Sequence, residues 1–194
     1  DNLEFTQLKK NYRLLDSFDQ KYLVFRNIQK FRNIADIELV MPNGGAWKWA
    51  EAICGLVGTL TEELVDADAM AKDSKTEIRV LSAILKQYQQ LLTDENLIDF
   101  AKIQTECYRL LKENPAILSD LQEKIHYLMI DEYQDTNYIQ EQIIFMLGEK
   151  HGNICVVGDD DQGLYRFRGA TIRNILEFPH KFKDGACKII PLTV

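Results

Sequence analysis

The sequence predicts an α/β protein whose first part is a large, mainly α-helical region. Up to about residue 124, apolar residues recur at spacings of three and four, as they do in amphipathic helices. Beyond that point, short apolar runs alternate with helical stretches, which is typical of parallel strands connected by helices. The composition, with 46% hydrophobic and 27% charged residues, is that of an ordinary globular protein.

One short strand and five helices are predicted for the first part. Asp16 or Ser17 caps the first helix, and a Pro-Asn-Gly-Gly break at residues 42–45 precedes the second. The elements are a strand over residues 12–15 and helices over about 17–31, 47–64, 76–92 and 97–112, with a short fifth from Pro115. Large apolar side chains of these helices are expected to form the core, among them Phe18, Tyr22, Phe25, Ile28, Phe31 and Phe100.

Three strands and two helices are predicted for the second part. The strands cover residues 127–130, 154–157 and 188–192, and the helices cover 138–149 and 171–178. Continuous apolar runs of this kind predict parallel strands that are buried on both faces. Ligands bind at the carboxyl ends of the strands in such sheets, and acidic clusters follow the first two runs.

Two adjacent carboxylates, Asp131 and Glu132, directly follow the first of these strands. Paired charges at the end of a buried strand are costly unless a cation or a polar partner is present. A magnesium ion bound to a nucleotide is the usual partner, with one aspartate holding the metal. The next carboxylate can then orient or deprotonate the attacking water. Alternatively, Asp131 or Asp135 only caps the following helix.

A second polar segment follows the run at residues 154–157, where Gly158 permits a tight exit from the strand. Three aspartates come next, and then Gln162, a neutral residue that can hydrogen-bond a γ-phosphate oxygen or the attacking water without repelling it. From Tyr165 onward aromatic and arginine residues alternate. Such rings can stack unpaired bases, worth about 1–3 kcal/mol each, and guanidinium groups can contact phosphates. A structural aromatic–arginine sandwich is the alternative.

The segment Asp131-Glu132-Tyr133-Gln134-Asp135-Thr136 closely resembles the Walker B motif of UvrD/Rep-type superfamily 1A DNA helicases, which reads DE-aromatic-QDT. The resemblance implies that Asp131 binds magnesium, and with it the nucleotide, and that Glu132 is the catalytic base. Gln134 and Asp135 match family positions that have less definite roles at the nucleotide and domain interface.

The stretch from residue 156 to residue 170 is very similar to helicase motif III of the same family, GDxDQxIYxWRGA. The resemblance implies that Gln162 is the γ-phosphate sensor, with both a catalytic and a nucleotide-binding role. It implies that Tyr165, Phe167 and Arg168 bind DNA. Gly163 stands where Ser or Ala is usual, and Phe167 stands where Trp is usual, which keeps the stacking face and loses the indole N–H.

The same resemblance implies a P-loop NTPase (RecA-like) fold with a partial parallel sheet and a large, mainly α-helical inserted subdomain. Residues 1–95 would be the helical 1B-like subdomain, and residues 96–194 a partial RecA-like 1A segment. Shorter segments at residues 14–20 and 96–100 also resemble family segments, DxxDQ and LxDFxDL. The family's Walker A loop, GxxxxGK[ST], does not occur in the sequence. Because that loop holds the phosphates, we expect the chain alone neither to bind ATP with useful affinity nor to hydrolyse it.

The implied parent protein is an ATP-dependent DNA helicase that uses ATP and Mg²⁺, moves 3′ to 5′ on single-stranded DNA and separates duplexes, in a context such as DNA repair. Its partners would be single-stranded and junction DNA. The net charge of −7 opposes strong phosphate binding, so we expect the isolated chain to bind DNA weakly. Six cations of the first part either contact duplex DNA or form a solvated helix face: Lys9, Lys10, Lys21, Arg26, Lys30 and Arg32.

Several features of the sequence predict the cellular location of the chain, the state of its cysteines and its oligomeric state. Both ends read as cuts in a longer protein, and no apolar run approaches the ~20 residues that span a bilayer. The four cysteines form no CxxC pair, so reduced thiols are expected rather than zinc or disulfides. We therefore expect a monomeric, cytoplasmic chain with no membrane partner.

Two further hypotheses compete with the motor. One is a catalytically degenerate DNA- or protein-binding adaptor derived from a helicase, against which the intact Asp131, Glu132 and Gln162 argue. The other is a metal-dependent nuclease built on those acids and the Asp159 to Asp161 run. A nuclease-like lysine near these acids is missing from the sequence pattern.

Overall fold

The computed structural model describes residues 3–6, 8–159, 172–183 and 186–191. The chain forms two compact units, residues 1–110 and residues 111–194. Each unit contains one two-stranded parallel sheet among helices, so the fold is a mixture of α and β structure. The boundary between these units, at residues 110 and 111, differs from the subdomain boundary predicted at residue 95. That subdomain boundary stays a prediction.

The first unit consists mainly of helices around a small sheet. Strand β1 pairs with β2 in parallel, with Arg13 opposite Leu97 and Leu14 opposite Ile98. Short 3₁₀ turns lie at Leu3–Phe5 and Ile37–Leu39. The main elements are β1 (Arg13–Leu14), α1 (Ser17–Arg26), α2 (Ile28–Arg32), α3 (Ala46–Glu62), α4 (Ala67–Met70), α5 (Thr76–Asp94), β2 (Leu97–Ile98) and the start of α6 (Phe100–Glu113).

Local signals explain where the helices of this unit begin. The Asp16 carboxylate accepts hydrogen bonds from the backbone N–H groups of Phe18 (2.9 Å) and Asp19 (2.7 Å), so Asp16 is the N-cap of α1. Asp66 caps α4 in the same way. The core lies between α1, α2, α3 and α5 and includes Leu23, Val24, Phe31, Ile53, Val57, Ile84, Leu85, Leu91 and Leu92.

Only two of the five residues predicted to form the apolar stripe of the first helix are buried, and both lie in α2. Ile28 and Phe31 are buried, but Phe18 is 62% exposed, and Tyr22 and Phe25 are also exposed. The buried positions of α1 are Leu23 and Val24 instead. Helical spacing identifies residues that share a face, but the aliphatic residues beside the aromatic ones packed inward. Phe100 of α6, which was also predicted to be core, is exposed as well.

The helix predicted to start at Leu97 in fact starts at Phe100, because Leu97–Ile98 form β2. Asp99 separates the strand from the helix, and its Oδ1 accepts a hydrogen bond from the Lys102 N–H at 2.7 Å. The strand forms only through its pairing with β1, more than 80 residues earlier, so no local pattern marks it.

A buried polar network joins three elements of the first unit. The Tyr88 hydroxyl donates to Asp99 Oδ2 at 2.6 Å, and the Gln20 amide donates to both the Tyr88 hydroxyl (2.8 Å) and Asp99 Oδ2 (3.1 Å). Burial, together with the nearby Asp99 charge, raises the pKa of Tyr88, so its hydroxyl remains a donor. The network brings together the two shorter segments that resemble helicase family segments.

The second unit contains α7 (Pro115–Lys124), β3 (Leu128–Ile130), a 3₁₀ turn (Tyr133–Asp135), α8 (Tyr138–Gly148), β4 (Ile154–Val156), α9 (Ile172–Glu177) and a second 3₁₀ turn (Phe178–Lys181). Pro115 occupies the first turn of α7, where its missing N–H costs nothing. None of the helices in the described ranges is long and apolar enough to cross a membrane.

Two predictions for the second unit are wrong. Its strands were expected to be buried on both faces, but Met129 is 78% exposed, and Tyr127, Cys155 and Val157 are exposed too. A third strand was expected over residues 188–192, whereas its described part, residues 188–191, lies in no strand. Apolar content alone does not specify which strands find a partner.

Candidate functional site

The candidate site lies where β3 and β4 end side by side. The two strands are parallel, with Leu128 opposite Ile154 and Ile130 opposite Val156. Pairing continues beyond the strands, since Val157 N–H donates to the Ile130 carbonyl at 2.8 Å and Tyr133 N–H donates to the Val157 carbonyl at 2.9 Å. The residues that follow both strands are therefore held together at the carboxyl edge.

Asp131 and Glu132 leave β3 at this edge, and both are exposed. Glu132 adopts a left-handed backbone conformation (φ 50°, ψ 44°), which is rare and costs about 1–3 kcal/mol for a residue other than glycine. Its N–H donates to Asp131 Oδ1 at 2.9 Å. Strained conformations of this kind persist where the surrounding structure holds them, and they concentrate at functional sites.

The alternative reading, that an aspartate of this segment merely caps the next helix, does not hold. The N-cap of α8 is Asn137, whose side chain accepts from the Gln140 N–H at 3.0 Å. The Gln140 side chain in turn accepts from the Asn137 N–H at 3.1 Å, which completes a capping box. Asp131 and Asp135 are thus not needed to start the helix.

Gln134 connects the two strand ends. This residue is only 2% exposed, and its amide nitrogen donates to Glu132 Oε2 at 2.6 Å. Its amide oxygen accepts from the Asp159 N–H at 3.1 Å. One buried side chain therefore contacts both the proposed base and the backbone just after β4.

Gly158 lies against Gln134 and has a steric rather than a conformational role. A Cβ atom at this position would collide with Gln134 Oε1 and would lie 2.6 Å from the Cδ1 atom of Ile175. It would also approach the Tyr133 nitrogen to 3.3 Å. The glycine expected to ease the strand exit is required here because side chains of neighbouring segments fill the space beside it.

A buried carboxylate, Glu141 of α8, contacts Tyr133, the residue after the acidic pair, and is 1% exposed. The buried Tyr133 hydroxyl donates to Glu141 Oε1 at 2.9 Å, and Lys181 forms an ion pair with Glu141 Oε2. Burial, and then the hydrogen bond to Glu141, raises the pKa of Tyr133, so the hydroxyl stays protonated and keeps donating. Tyr133, the residue that follows Glu132, is thereby anchored to α8.

Aromatic packing and one further hydrogen bond reinforce this anchor. The Phe178 ring lies edge-on to Tyr133 at 5.1 Å and also contacts the rings of Phe145 (6.0 Å) and Phe182 (5.0 Å). Asn174 of α9 donates to the Thr136 carbonyl at 2.9 Å. The segment after β3 is consequently fixed from both α8 and α9.

The donor set at the strand ends fits a hydrated magnesium ion. Magnesium is usually held by one or two carboxylates, with water and phosphate oxygens completing its coordination. Asp131 is exposed and uses only its Oδ1 atom in a hydrogen bond among the described residues. The same ranges contain no group of three or more His, Cys, Asp or Glu residues able to hold a metal ion, so a metal here would need phosphate or water ligands.

Of the predicted site residues, Asp131 and Glu132 lie together as the sequence indicated. Gln162, Tyr165, Phe167 and Arg168 fall outside the described residues, as do Asp160 and Asp161. Two contributors were not singled out from the sequence, Glu141 and Lys181. An acidic residue within the apolar helix α8 was the available signal for Glu141, because a buried carboxylate needs a partner.

Comparison with known proteins places this arrangement in a family. Residues 1–183 match the family described as UvrD/REP helicase N-terminal domain. The chain is 32% identical over 180 residues to the ATP-dependent DNA helicase PcrA of Bacillus subtilis (strain 168), a match that covers 92% of this chain and 23% of that protein. It is 31% identical over 179 residues to the proteins of the same name from Staphylococcus aureus (strain Mu50) and Staphylococcus epidermidis, with the same coverage.

The chain spans about a quarter of the length of these curated relatives. Its family match extends over both structural units and includes the acidic strand ends. The chain belongs to the UvrD/REP helicase N-terminal domain family.

Proposed function

We propose that the full-length protein carrying this chain is an ATP-dependent DNA helicase and translocase, and that Glu132 is its general base. The observation that carries the proposal is the exposed carboxylate pair at the end of β3, with Glu132 held in a left-handed conformation beside the exit of β4. The relatives that carry the printed name ATP-dependent DNA helicase support it.

In this proposal, Asp131 would hold a magnesium ion, which would neutralise charge on the phosphates of bound ATP. Glu132 accepts a proton from the attacking water. Gln162 contacts the γ-phosphate, and Tyr165, Phe167 and Arg168 contact single-stranded DNA through stacking and phosphate contacts. Asn137, and not Asp131, is the N-cap of α8. The Asp131 carboxylate is therefore available to a ligand, which supports its proposed role.

The proposed function implies a RecA-like architecture for the chain. Strands β3 and β4 would belong to a partial RecA-like sheet, with residues 96–194 as a 1A segment and residues 1–95 as a 1B-like helical subdomain. The full-length protein would act in the cytoplasm on single-stranded and junction DNA with 3′ to 5′ polarity, for example in repair. The parallel pairing at the strand ends supports the RecA-like assignment.

Glu132→Gln in the full-length protein tests the base. The variant should bind nucleotide with unchanged affinity, because amide and carboxylate are nearly isosteric, and should lose DNA-stimulated turnover by a factor of about 10² or more. Phosphate release and nucleotide affinity are the measurements. Glu149→Gln, at an exposed position just after α8, is the matched control and should behave as the wild type.

Turnover that survives Glu132→Gln would refute the base assignment. A wild-type protein without ATPase activity that still binds DNA or a protein would instead favour the adaptor. The isolated 194-residue chain, which lacks the phosphate-binding loop, should show no saturable ATP binding by calorimetry.

A further inference from the structure

We propose that Gln134 is a positioning residue through which the segment after β4 controls Glu132. Its amide holds the Glu132 carboxylate on one side and the backbone at the exit of β4 on the other. Hydrolysis would then depend on where that backbone lies. This inference rests on the proposed function, because it concerns the regulation of the same site.

Gln134 makes one hydrogen bond at each end of its amide. Its amide nitrogen donates to Glu132 Oε2 at 2.6 Å, and its amide oxygen accepts from the Asp159 N–H at 3.1 Å. The side chain is 2% exposed, so the amide itself is shielded from water. Glu132 and Asp159 are 27 residues apart in the chain, and the side chain of Gln134 links them.

Chemistry determines which way the amide faces. The backbone group at Asp159 is a donor, so it requires the amide oxygen, and an ionised Glu132 carboxylate is acceptor-only, so it requires the NH₂ group. The reversed amide would place two donors together at one end and two acceptors at the other. A neutral side chain with one donor end and one acceptor end is therefore the only kind that satisfies both contacts.

Steric contacts keep the amide in this position. Gly158 precedes Asp159, and any Cβ there would collide with the amide oxygen of Gln134. The backbone of the same turn is fixed by the Tyr133 N–H bond to the Val157 carbonyl at 2.9 Å. A displacement of the backbone at residues 157–159 would therefore be transmitted to Gln134, and from it to the Glu132 carboxylate.

The segment after Asp159 carries, in sequence, the residues proposed to contact the γ-phosphate and DNA. Under the proposed function, a DNA-dependent change in that segment would reach the base through Gln134. The DNA-stimulated rate is accordingly the sensitive readout, and ground-state ATP binding should be insensitive. A residue with only a structural role would not separate these two quantities.

Three variants of the full-length protein test the proposal. Gln134→Leu removes both hydrogen bonds at similar volume. Gln134→Glu keeps an oxygen for the Asp159 N–H but puts a carboxylate against Glu132. Gln142→Leu of α8 is the matched control, because its half-buried side chain makes no hydrogen bond among the described residues.

The expected result has two parts. Both Gln134 variants should lower the DNA-stimulated kcat by about tenfold or more with KM for ATP within about twofold, and Gln134→Glu should be the slower. Amide hydrogen exchange at Asp159 should accelerate about tenfold or more in Gln134→Leu and stay near the wild-type rate in Gln134→Glu. Gln142→Leu should change neither quantity.

A double variant separates this inference from the proposed function. If Gln134 acts through Glu132, then adding Gln134→Leu to Glu132→Gln should not lower the residual rate further. Wild-type kcat in Gln134→Glu, or additive effects in the double variant, would overturn the inference while leaving the base intact. An unaffected rate in Glu132→Gln alone would overturn the proposed function instead.

Discussion

Replacing Lys181 by Met should destabilise the second unit, because it leaves the Glu141 carboxylate buried without its cation. Glu141 is 1% exposed, and among the described residues the partner that it keeps is the Tyr133 hydroxyl at 2.9 Å. Breaking a fully buried pair costs about 3–5 kcal/mol. The Lys181 side chain is 30% exposed, so water already screens part of the interaction, and we expect a loss of about 2–4 kcal/mol.

The ion pair between Lys181 and Glu141 also predicts how the stability changes when a second substitution is added. Glu141→Gln combined with Lys181→Met removes the unpaired charge and keeps an acceptor for Tyr133. The double variant should therefore be more stable than Lys181→Met alone. Lys150→Met is the matched control, since the ion pair of Lys150 with Glu123 lies at the surface, and its stability should not change measurably.

The assay must report on each unit separately. Both tryptophans, Trp47 and Trp49, lie in the first unit, so their fluorescence in a urea titration monitors that unit. Amide hydrogen exchange of peptides from α8 monitors the second unit in the same variants. A loss of stability below about 1 kcal/mol in Lys181→Met, measured by exchange in α8, would refute the role of the ion pair. A double variant less stable than Lys181→Met alone would refute it as well.

Two further predictions concern the first unit. Tyr88→Phe removes the 2.6 Å hydrogen bond to buried Asp99 and should cost about 1.5–3 kcal/mol in urea unfolding followed by tryptophan fluorescence, whereas a loss below about 0.5 kcal/mol would contradict the network. Burial raises the pKa of the Cys54 thiol from 9.0 to about 12, so the native state retains a proton that the unfolded state loses as the pH rises above 9. The stability contributed by the thiol proton should therefore be present below pH 9 and fall above it, by about 1.4 kcal/mol at pH 10, and Cys54→Ala should flatten this alkaline limb in the same assay.

Much of the secondary structure followed from local signals in the sequence. The N-cap at Asp16 and the proline at the start of α7 mark helix ends through interactions between residues close in the chain. The helix predicted over residues 138–149 is likewise present, as Tyr138–Gly148. Predictions failed where a partner far along the chain decides the outcome, as for β2, which exists only through its pairing with β1.

Burial was predicted less well than secondary structure. Phe18, Tyr22 and Phe25 repeat with helical spacing, yet the neighbouring Leu23 and Val24 are the residues that pack inward. Spacing defines the faces of a helix but does not say which face meets the other elements. That choice depends on the shapes of α3 and α5, which the sequence of α1 does not contain.

By itself the sequence determined the candidate site to the level of residue types and order, including the acidic pair at the end of an apolar run. Adjacent residues carry that information, so Asp131 and Glu132 could be named without a structure. Only the tertiary structure decided what surrounds them. The bridge from Gln134 to Asp159 and the burial of Glu141 against Lys181 arise because parallel pairing and packing bring separate segments into contact. Such contacts follow from the fold as a whole, and no short stretch of sequence encodes them.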